Sequence, residues 1–303
     1  MKETILITGG TGLVGRRLAA LLAKDYNLRY LSRTPAGSNQ FAWDISTGFL
    51  DPNALKDVDH IIHLAGENIL KKRWTEDRKI ALIESRVYST KLLYTALEKA
   101  GRTIKTFISA SAVGYYGAVT QQQAFSEEDP AGTDFAAELC MLWEKAADLF
   151  EDPTRCQRVV KLRTAVVLSA EGGALAPLSL PIKLGLGSSL GKGTQYMPWI
   201  HIDDLCSLYK YALTNTDVAG VYNASAPEQC TNAQITATIA KYFNRPLWLP
   251  NVPAVALKLA LGEAADMLLE GSPVSTEKIQ AQGYKFHYPA LDAALKQLLK
   301  KEE

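Results

Sequence analysis

"TGGTGLVG", residues 8–15, spaces Gly9, Gly12 and Gly15 three apart, directly after the apolar run "TILIT" (4–8). After it, "GLVGRRLAALLAK" (12–24) carries Leu13, Leu18, Leu21 and Leu22 at helical spacing. A buried strand, a glycine loop and a helix in that order are the context that gives the glycine pattern its meaning. Glycine permits the tight turn and lets backbone approach a pyrophosphate, whose charge meets free N–H groups at the helix N-terminus. Gly9, Thr11, Gly12, Leu13, Val14 and Gly15 are therefore the first candidate binding residues.

Outward from the loop, strands and helices alternate. "LRYLS" (28–32), "HIIHLAG" (60–66), "IKTFISAS" (104–111) and "RVVKLRTAVVLS" (158–169) read as strands. Residues 75–101 read as one long helix with Thr75 as N-cap and Gly101 as its stop, and residues 134–150 as another. This alternation predicts an α/β protein, a Rossmann-type doubly wound parallel sheet with a smaller C-terminal substrate-binding part. The expected division is a nucleotide-binding domain over 1–170, completed by about 199–225, with 171–198 and 226–303 forming the smaller part. "WIHIDDLCSLYKYAL" (199–213) reads as a strand and a helix capped at Asp203. The apolar segment 254–271 is expected either to pack against the sheet domain or to form a homodimer surface.

The second strand ends in Ser32, Arg33 and Thr34, where an NAD site would place a carboxylate for the ribose 2′-hydroxyl. A guanidinium there suits a 2′-phosphate through paired, charge-assisted hydrogen bonds, so the expected cofactor is NADP. The competing reading of Arg33 is a solvated surface arginine.

Composition narrows the function classes. The net charge of +1 offers no field for nucleic acid or anionic membranes. No stretch approaches the ~18 uninterrupted apolar residues of a membrane span. The N-terminus lacks a signal-peptide pattern, and the four cysteines have neither metal-site nor disulfide spacing, which fits a reducing cytoplasmic compartment. The histidines show no ligand spacing, so no metal is expected and the partner is a small-molecule substrate.

These residues together with "LAGENI" (64–69), "RW" (73–74), "SR" (85–86), "GYYG" (114–117), "WEKAA" (143–147), "WIHIDDL" (199–205) and "GYKFHYPAL" (283–291) resemble the extended short-chain dehydrogenase/reductase superfamily. More closely, the chain is similar to its atypical "epimerase family" branch. The resemblance implies NADP(H) binding, with Asp44 near the adenine, Leu64, Ala65 and Gly66 lining the nicotinamide-side ribose, and Ser109 near the nicotinamide. Asp44 has a plain alternative as a turn cap.

Members of that superfamily use a Tyr as acid/base and, four residues on, a Lys. The Lys lowers the pKa of a phenol that otherwise titrates near ~10. In "DFAAELCMLWEKAA" (134–147) one alignment puts Ala136 and Cys140 at these positions, and the neighbouring register puts Phe135 and Leu139 there. Neither restores the pair. Ala112 stands where the substrate-orienting Ser/Thr is expected. Ser111 is adjacent and would need a bulge to turn to the correct face. Ser111, Tyr116 and Glu67 are the candidate catalytic residues. Tyr116 has a packing alternative, and Glu67 would need desolvation to raise its pKa. Arg73, Arg86 and Arg163 are candidate anion or pyrophosphate binders, with a structural ion pair as the alternative for Arg86. Cys140 reads as a buried thiol and His201 as structural. Three functions follow: an epimerase-like NADP-dependent oxidoreductase acting on a small polar substrate with a non-standard acid/base; a non-catalytic NADP(H)-binding sensor or regulatory protein; or a conventional nucleotide-sugar epimerase or dehydratase, which the lost tyrosine disfavours.

Overall fold

Every residue of the apolar run before the glycine loop is buried, because this strand, β1 (Thr4–Thr8), lies inside a sheet covered on both faces. The computed structural model describes residues 2–299. The other strands are β2 (Asn27–Ser32), β3 (Gln40–Asp44), β4 (Phe49–Leu50), β5 (His60–His63), β6 (Ile104–Ala112), β7 (Cys156–Thr164), β8 (Val166–Ser169), β9 (Gly172–Gly173), β10 (Trp199–His201) and β11 (Gly220–Ala224). Eight of them form one sheet in the order β11-β7-β6-β5-β1-β2-β3-β4. All its pairings are parallel except β3 with β4. The strand order reverses at β1, with β2 on one side and β5 on the other, and this opens a crevice at their carboxyl ends.

Side-chain alternation builds the two covered faces. Ile5, Ile7, Ile62, Ile108 and Val160 pack under α1 (Leu13–Leu22) and the helix Ile202–Thr214. Leu6, Leu31, Ile61, Phe107 and Val159 face the opposite way. Above them run α3 (Ser89–Lys99) and α4 (Phe135–Ala147), with Leu93, Leu97 and Ala147 in the same cluster, while α2 (Glu76–Ile83) packs through Leu82 on Phe135 and Leu139 of α4.

The smaller part holds α5 (Leu175–Lys183), then α6 (Ile202–Thr214), which returns to the large sheet, α7 (Asn232–Tyr242), α8 (Ala254–Leu261), α9 (Asp266–Leu269), α10 (Glu277–Ala281) and α11 (Leu291–Leu299). Its core joins Leu168, Trp199, Ile235, Ile239, Leu291 and Leu295. Among the described residues no helix is long and apolar enough to cross a membrane.

Some local expectations need correction. The strand expected over 158–169 breaks at Ala165: β7 stays in the large sheet, while β8 joins β9 and β10 in a second, three-stranded sheet. The strand at 199–201 also belongs to that small sheet, paired with β8. Helix α6 is capped by His201, whose Nδ1 accepts from Asp203 N at 3.1 Å. Asp203 lies in the first turn and pairs with Arg17. The ring Nε2 bonds Gln297 at 2.9 Å, so both imidazole nitrogens serve structure. Within 254–271, helix α8 has no buried residue, Val255 and Leu259 being 69% and 73% exposed, whereas the residues after it meet the sheet domain: Glu263 pairs with Lys79 at 2.7 Å and Gly262 lies against Arg73.

The long helix starts at Thr75 as expected, its Oγ1 accepting from Arg78 N, but it is not continuous α-helix. A single π turn, Glu84–Tyr88, separates α2 from α3. The extra residue in that turn changes which side chains face inward, and Arg86 and Val87 are buried there.

Candidate cofactor and substrate site

The glycine loop lies across the crevice. Gly9 has φ +68°, and a Cβ there would stand 2.9 Å from the Leu64 carbonyl, so the loop lies directly on the segment that follows β5. A Cβ on Gly15 would meet the Gly9 carbonyl oxygen at 2.3 Å, so α1 can pack this close only without a side chain. Gly12 ends the loop with no side chain capping α1, and the first intrahelical bond runs from Arg16 N to Gly12 O. The N–H groups of Leu13, Val14 and Gly15 are thus available to an anion. Thr11 is exposed beside them, and its carbonyl accepts from Arg16 Nη1 at 2.7 Å. This cradle, which a Cβ would fill, fits a dinucleotide pyrophosphate.

Ser32 ends β2, and its Oγ accepts from Thr34 N at 3.2 Å. Arg33 is exposed next to them. Asp44 is also exposed, at the end of β3. Its carboxylate accepts from Ser46 N and Oγ at 2.9 and 2.7 Å, and these bonds hold its pKa below the usual carboxylate range. Asp44 is therefore a turn cap in its own right.

Leu64, Ala65 and Gly66 follow β5, and one hydroxyl holds the first two. Thr8 Oγ1 accepts from Leu64 N and Ala65 N, each at 3.1 Å. Its own proton is then free for His63 Nδ1 at 2.7 Å. His63 Nε2 faces Ser89 Oγ at 3.1 Å, and Ser89 bonds the Ser85 and Arg86 carbonyls at 2.8 and 2.9 Å. The network fixes the neutral imidazole with its proton on Nε2. Burial pushes the pKa of His63 down to about 4. None of Thr8, His63 or Ser89 stands out in the sequence as a site residue. The only signal is that Thr8 immediately precedes the loop.

The structure chooses between the two registers on α4. A Cβ on Gly114 would be 3.6 Å from Ala136 Cβ and 3.8 Å from Cys140 Sγ, so these two residues face the end of β6. Phe135 and Leu139 pack instead with Leu82, and Phe135 meets Trp74 edge-on at 5.0 Å. The standard proton relay is replaced by a methyl group and a thiol. Burial pushes the Cys140 thiol up to about 12, so it is not a thiolate nucleophile.

Each of the three catalytic candidates has its polar group engaged by a protein partner. Strand β6 pairs regularly with β7 through Ala112, with no bulge, and Ser111 Oγ donates to Glu144 Oε1 at 2.6 Å. Tyr116 is buried and stacked on Phe125; it donates to Asn223 Oδ1 at 2.7 Å and accepts from Arg163 Nη1 at 3.1 Å. Burial raises its pKa to about 12, which removes it as an acid/base near neutral pH. Glu67 is exposed and ion-paired with Arg78, and that hydrogen bond lowers its pKa, the opposite of the desolvation a general base would need. Ser109 lies three residues inside β6, buried, with its Oγ bonded to the Ala110 carbonyl at 2.9 Å.

Among the arginines, Arg163 is taken by Glu144, and Arg73 is exposed against Gly262. Arg86 is buried at the edge of the crevice. Beside Ala136 and Gly114 a cavity of about 110 Å³ is walled by Val113, Phe125, Val166, Met197, Met267 and Val274. Its lining is mainly apolar; Tyr116, Tyr196, Glu270 and Ser272 also line it, and no lysine or arginine does among the described residues. These walls come from segments far apart in sequence, which is why sequence spacing did not reveal them.

A doubly wound sheet with an open helix N-terminus at its switch point, and a cavity at the carboxyl end of β6, defines an NAD(P)-binding scaffold of the short-chain dehydrogenase/reductase type. Residues 5–225 match the NAD dependent epimerase/dehydratase family, and residues 252–298 match a domain of unknown function, DUF1731. The chain belongs to the NAD dependent epimerase/dehydratase family. It is 40% identical to epimerase family protein Mb2239 of Mycobacterium bovis over 96% of both chains. It is 37% identical to human epimerase family protein SDR39U1, covering 97% of this chain and 99% of the relative. The crystal structure of human SDR39U1 (isoform 2) with NADPH superposes with a TM-score of 0.88 at 36% identity, covering 98% and 99% of the two chains. A nucleoside-diphosphate sugar epimerase from Corynebacterium glutamicum gives a TM-score of 0.81 at 31% identity, over 99% of this chain and 58% of that one.

Proposed function

We propose that the protein is an NADP(H)-dependent oxidoreductase that acts on a small, predominantly apolar carbonyl compound or its alcohol. The observation that carries this reading is the cavity beside Gly114 and Ala136, at the strand end where the nicotinamide of this fold lies. A protein that only sensed bound nucleotide would have no use for a walled cavity at that point. Arg33 beyond β2, and the NADPH bound to the human relative, support NADP over NAD.

When bound, NADPH supplies a hydride to the carbonyl carbon. The chain's own work is to hold the reactants and exclude bulk solvent. Loop residues Gly9, Thr11, Gly12, Leu13, Val14 and Gly15 would hold the pyrophosphate, and Ser32, Arg33 and Thr34 the 2′-phosphate. Leu64, Ala65 and Gly66 would flank the ribose. Ser111, Tyr116, Glu67 and Cys140 keep their protons or partners near neutral pH, so the proton that completes the alcohol comes from water. Ala136 and Cys140 in place of Tyr and Lys favour the alternative, a non-catalytic NADP(H)-binding protein.

One experiment separates the readings. Protein stripped of nucleotide is titrated with NADPH and NADH by fluorescence, then given NADPH with small aliphatic and aromatic aldehydes and ketones. Preference for NADPH with oxidation of it by any of them supports the oxidoreductase. Tight NADPH binding with no oxidation supports the sensor. Turnover of a nucleotide sugar would contradict the assigned substrate class.

A further inference from the structure

Arg86 is a buried cation without an anion. Its side chain lies at the edge of the crevice, nine-tenths buried, and no carboxylate pairs with it among the described residues. Glu67, whose backbone carbonyl Arg86 reaches, gives its carboxylate to Arg78 instead. An unpaired charge in such a place costs several kcal/mol in solvation, roughly, unless something compensates it. The protein compensates only partly. Nη1 donates to the Leu82 carbonyl at 3.2 Å and Ser85 Oγ at 3.3 Å, and Nη2 donates to the Glu67 carbonyl at 2.8 Å. The Nε–H and the second Nη2 hydrogen have no protein acceptor among the described residues, and Nε is not sealed from solvent. Burial draws the pKa of Arg86 down to about 10, which still leaves it charged at neutral pH.

Its position gives those donors a target. A Cβ on Gly66 would stand 3.1 Å from Arg86 Cζ and 3.3 Å from Nη2, so at that point only the absence of a side chain keeps the guanidinium uncovered. Gly66 is exposed to the crevice. The guanidinium also lies over the Trp143 ring at 5.0 Å, on α4 one turn beyond Cys140, the residue at the vacant lysine position. The π turn is what turns the side chain inward, and the Thr8–His63–Ser89 network ties that turn to the glycine loop.

We propose that Arg86 binds the hydroxyls of the nicotinamide-side ribose, taking over from the π turn the holding role that a lysine on α4 would have. This rests on the reading of the crevice as an NADP(H) site. The guanidinium does only half of what that lysine does: it positions the sugar. There is no tyrosine at Ala136 whose ionisation it could assist, so it needs to move no proton.

Binding to two probes tests the assignment by calorimetry. NADPH carries both halves of the cofactor, whereas adenosine 2′,5′-bisphosphate carries only the adenosine half. Arg86→Gln should raise the Kd for NADPH about 10-fold or more, the loss of a charge-assisted hydrogen bond, and leave the bisphosphate Kd within about 2-fold. Arg86→Lys should recover much of the loss. Gly66→Ala, which keeps the arginine but puts a methyl group before it, should reproduce the selective loss. Equal weakening for both probes would assign Arg86 a structural role and overturn the proposal, as would an unchanged NADPH Kd in Arg86→Gln. If the unaltered protein binds neither probe, the cofactor reading itself falls, and this assignment with it.

Discussion

Arg163 on β7 reaches both carboxylate oxygens of Glu144 on α4, Nε to Oε1 at 2.8 Å and Nη2 to Oε2 at 2.9 Å, in a buried setting. Ser111 donates to the same carboxylate, and the guanidinium stacks on the Tyr115 ring with its carbon 3.4 Å from the centroid. The polar groups nearest the end of β6 are thereby locked together as structure. Glu144→Ala strands the arginine's charge and removes the acceptor of Ser111, and should cost about 3–5 kcal/mol. Urea denaturation measures this; a loss below about 1 kcal/mol would mean that water reaches the pair.

Arg33 tests the cofactor's identity. Arg33→Asp replaces a donor to the 2′-phosphate with a repelling charge, and should weaken NADPH binding roughly 10- to 100-fold while leaving NADH nearly unchanged. Fluorescence titration of both nucleotides gives the ratio. Equal losses for the two would remove Arg33 from phosphate recognition.

Tyr116 is a packing residue with a satisfied hydroxyl. Tyr116→Phe leaves Asn223 Oδ1 without its 2.7 Å donor and should lower stability by about 1–2 kcal/mol. Turnover of any substrate found should hold. A large fall in turnover at unchanged NADPH affinity would return the phenol to the chemistry.

His63 makes stability depend on pH. Its folded pKa of about 4 lies below the 6.5 of a free imidazole, so the unfolded chain takes up the proton first as pH falls. Stability is full above pH 6.5 and declines as pH drops from there through 4, by about 3 kcal/mol from this residue alone. Denaturation midpoints across that range measure the slope. His63→Asn should flatten it, and an unchanged slope would mean that other groups carry the acid sensitivity.

The parts of the fold that rest on local pattern were legible. A run of apolar residues closing on three spaced glycines, and strands alternating with helices, are consequences of period and turn chemistry that a linear chain displays. The absence of Tyr and Lys on α4 was equally visible, and burial contacts then selected Ala136 and Cys140 over Phe135 and Leu139. The π turn at Glu84–Tyr88 was not legible, since nothing in the helical pattern of 75–101 marks where one extra residue is inserted. The break at Ala165 was hidden because β7 and β8 share one β-branched run, and only the partners on either side assign them to different sheets.

The sequence by itself determined the class of scaffold, the place of the glycine loop and the loss of the usual proton relay, because each depends on residues close together along the chain. Only the tertiary structure decided what the remaining polar groups do. Ser111, Tyr116 and Glu67 look like candidate catalysts as isolated letters. They are spent because Glu144, Asn223 and Arg78 arrive beside them from distant segments. Arg86, one of many arginines in the chain, is distinguished by the opposite circumstance: folding buries its charge and brings no carboxylate to meet it. Hydrogen bonds and desolvation act over a few ångströms in space, and sequence spacing does not report which groups share that distance.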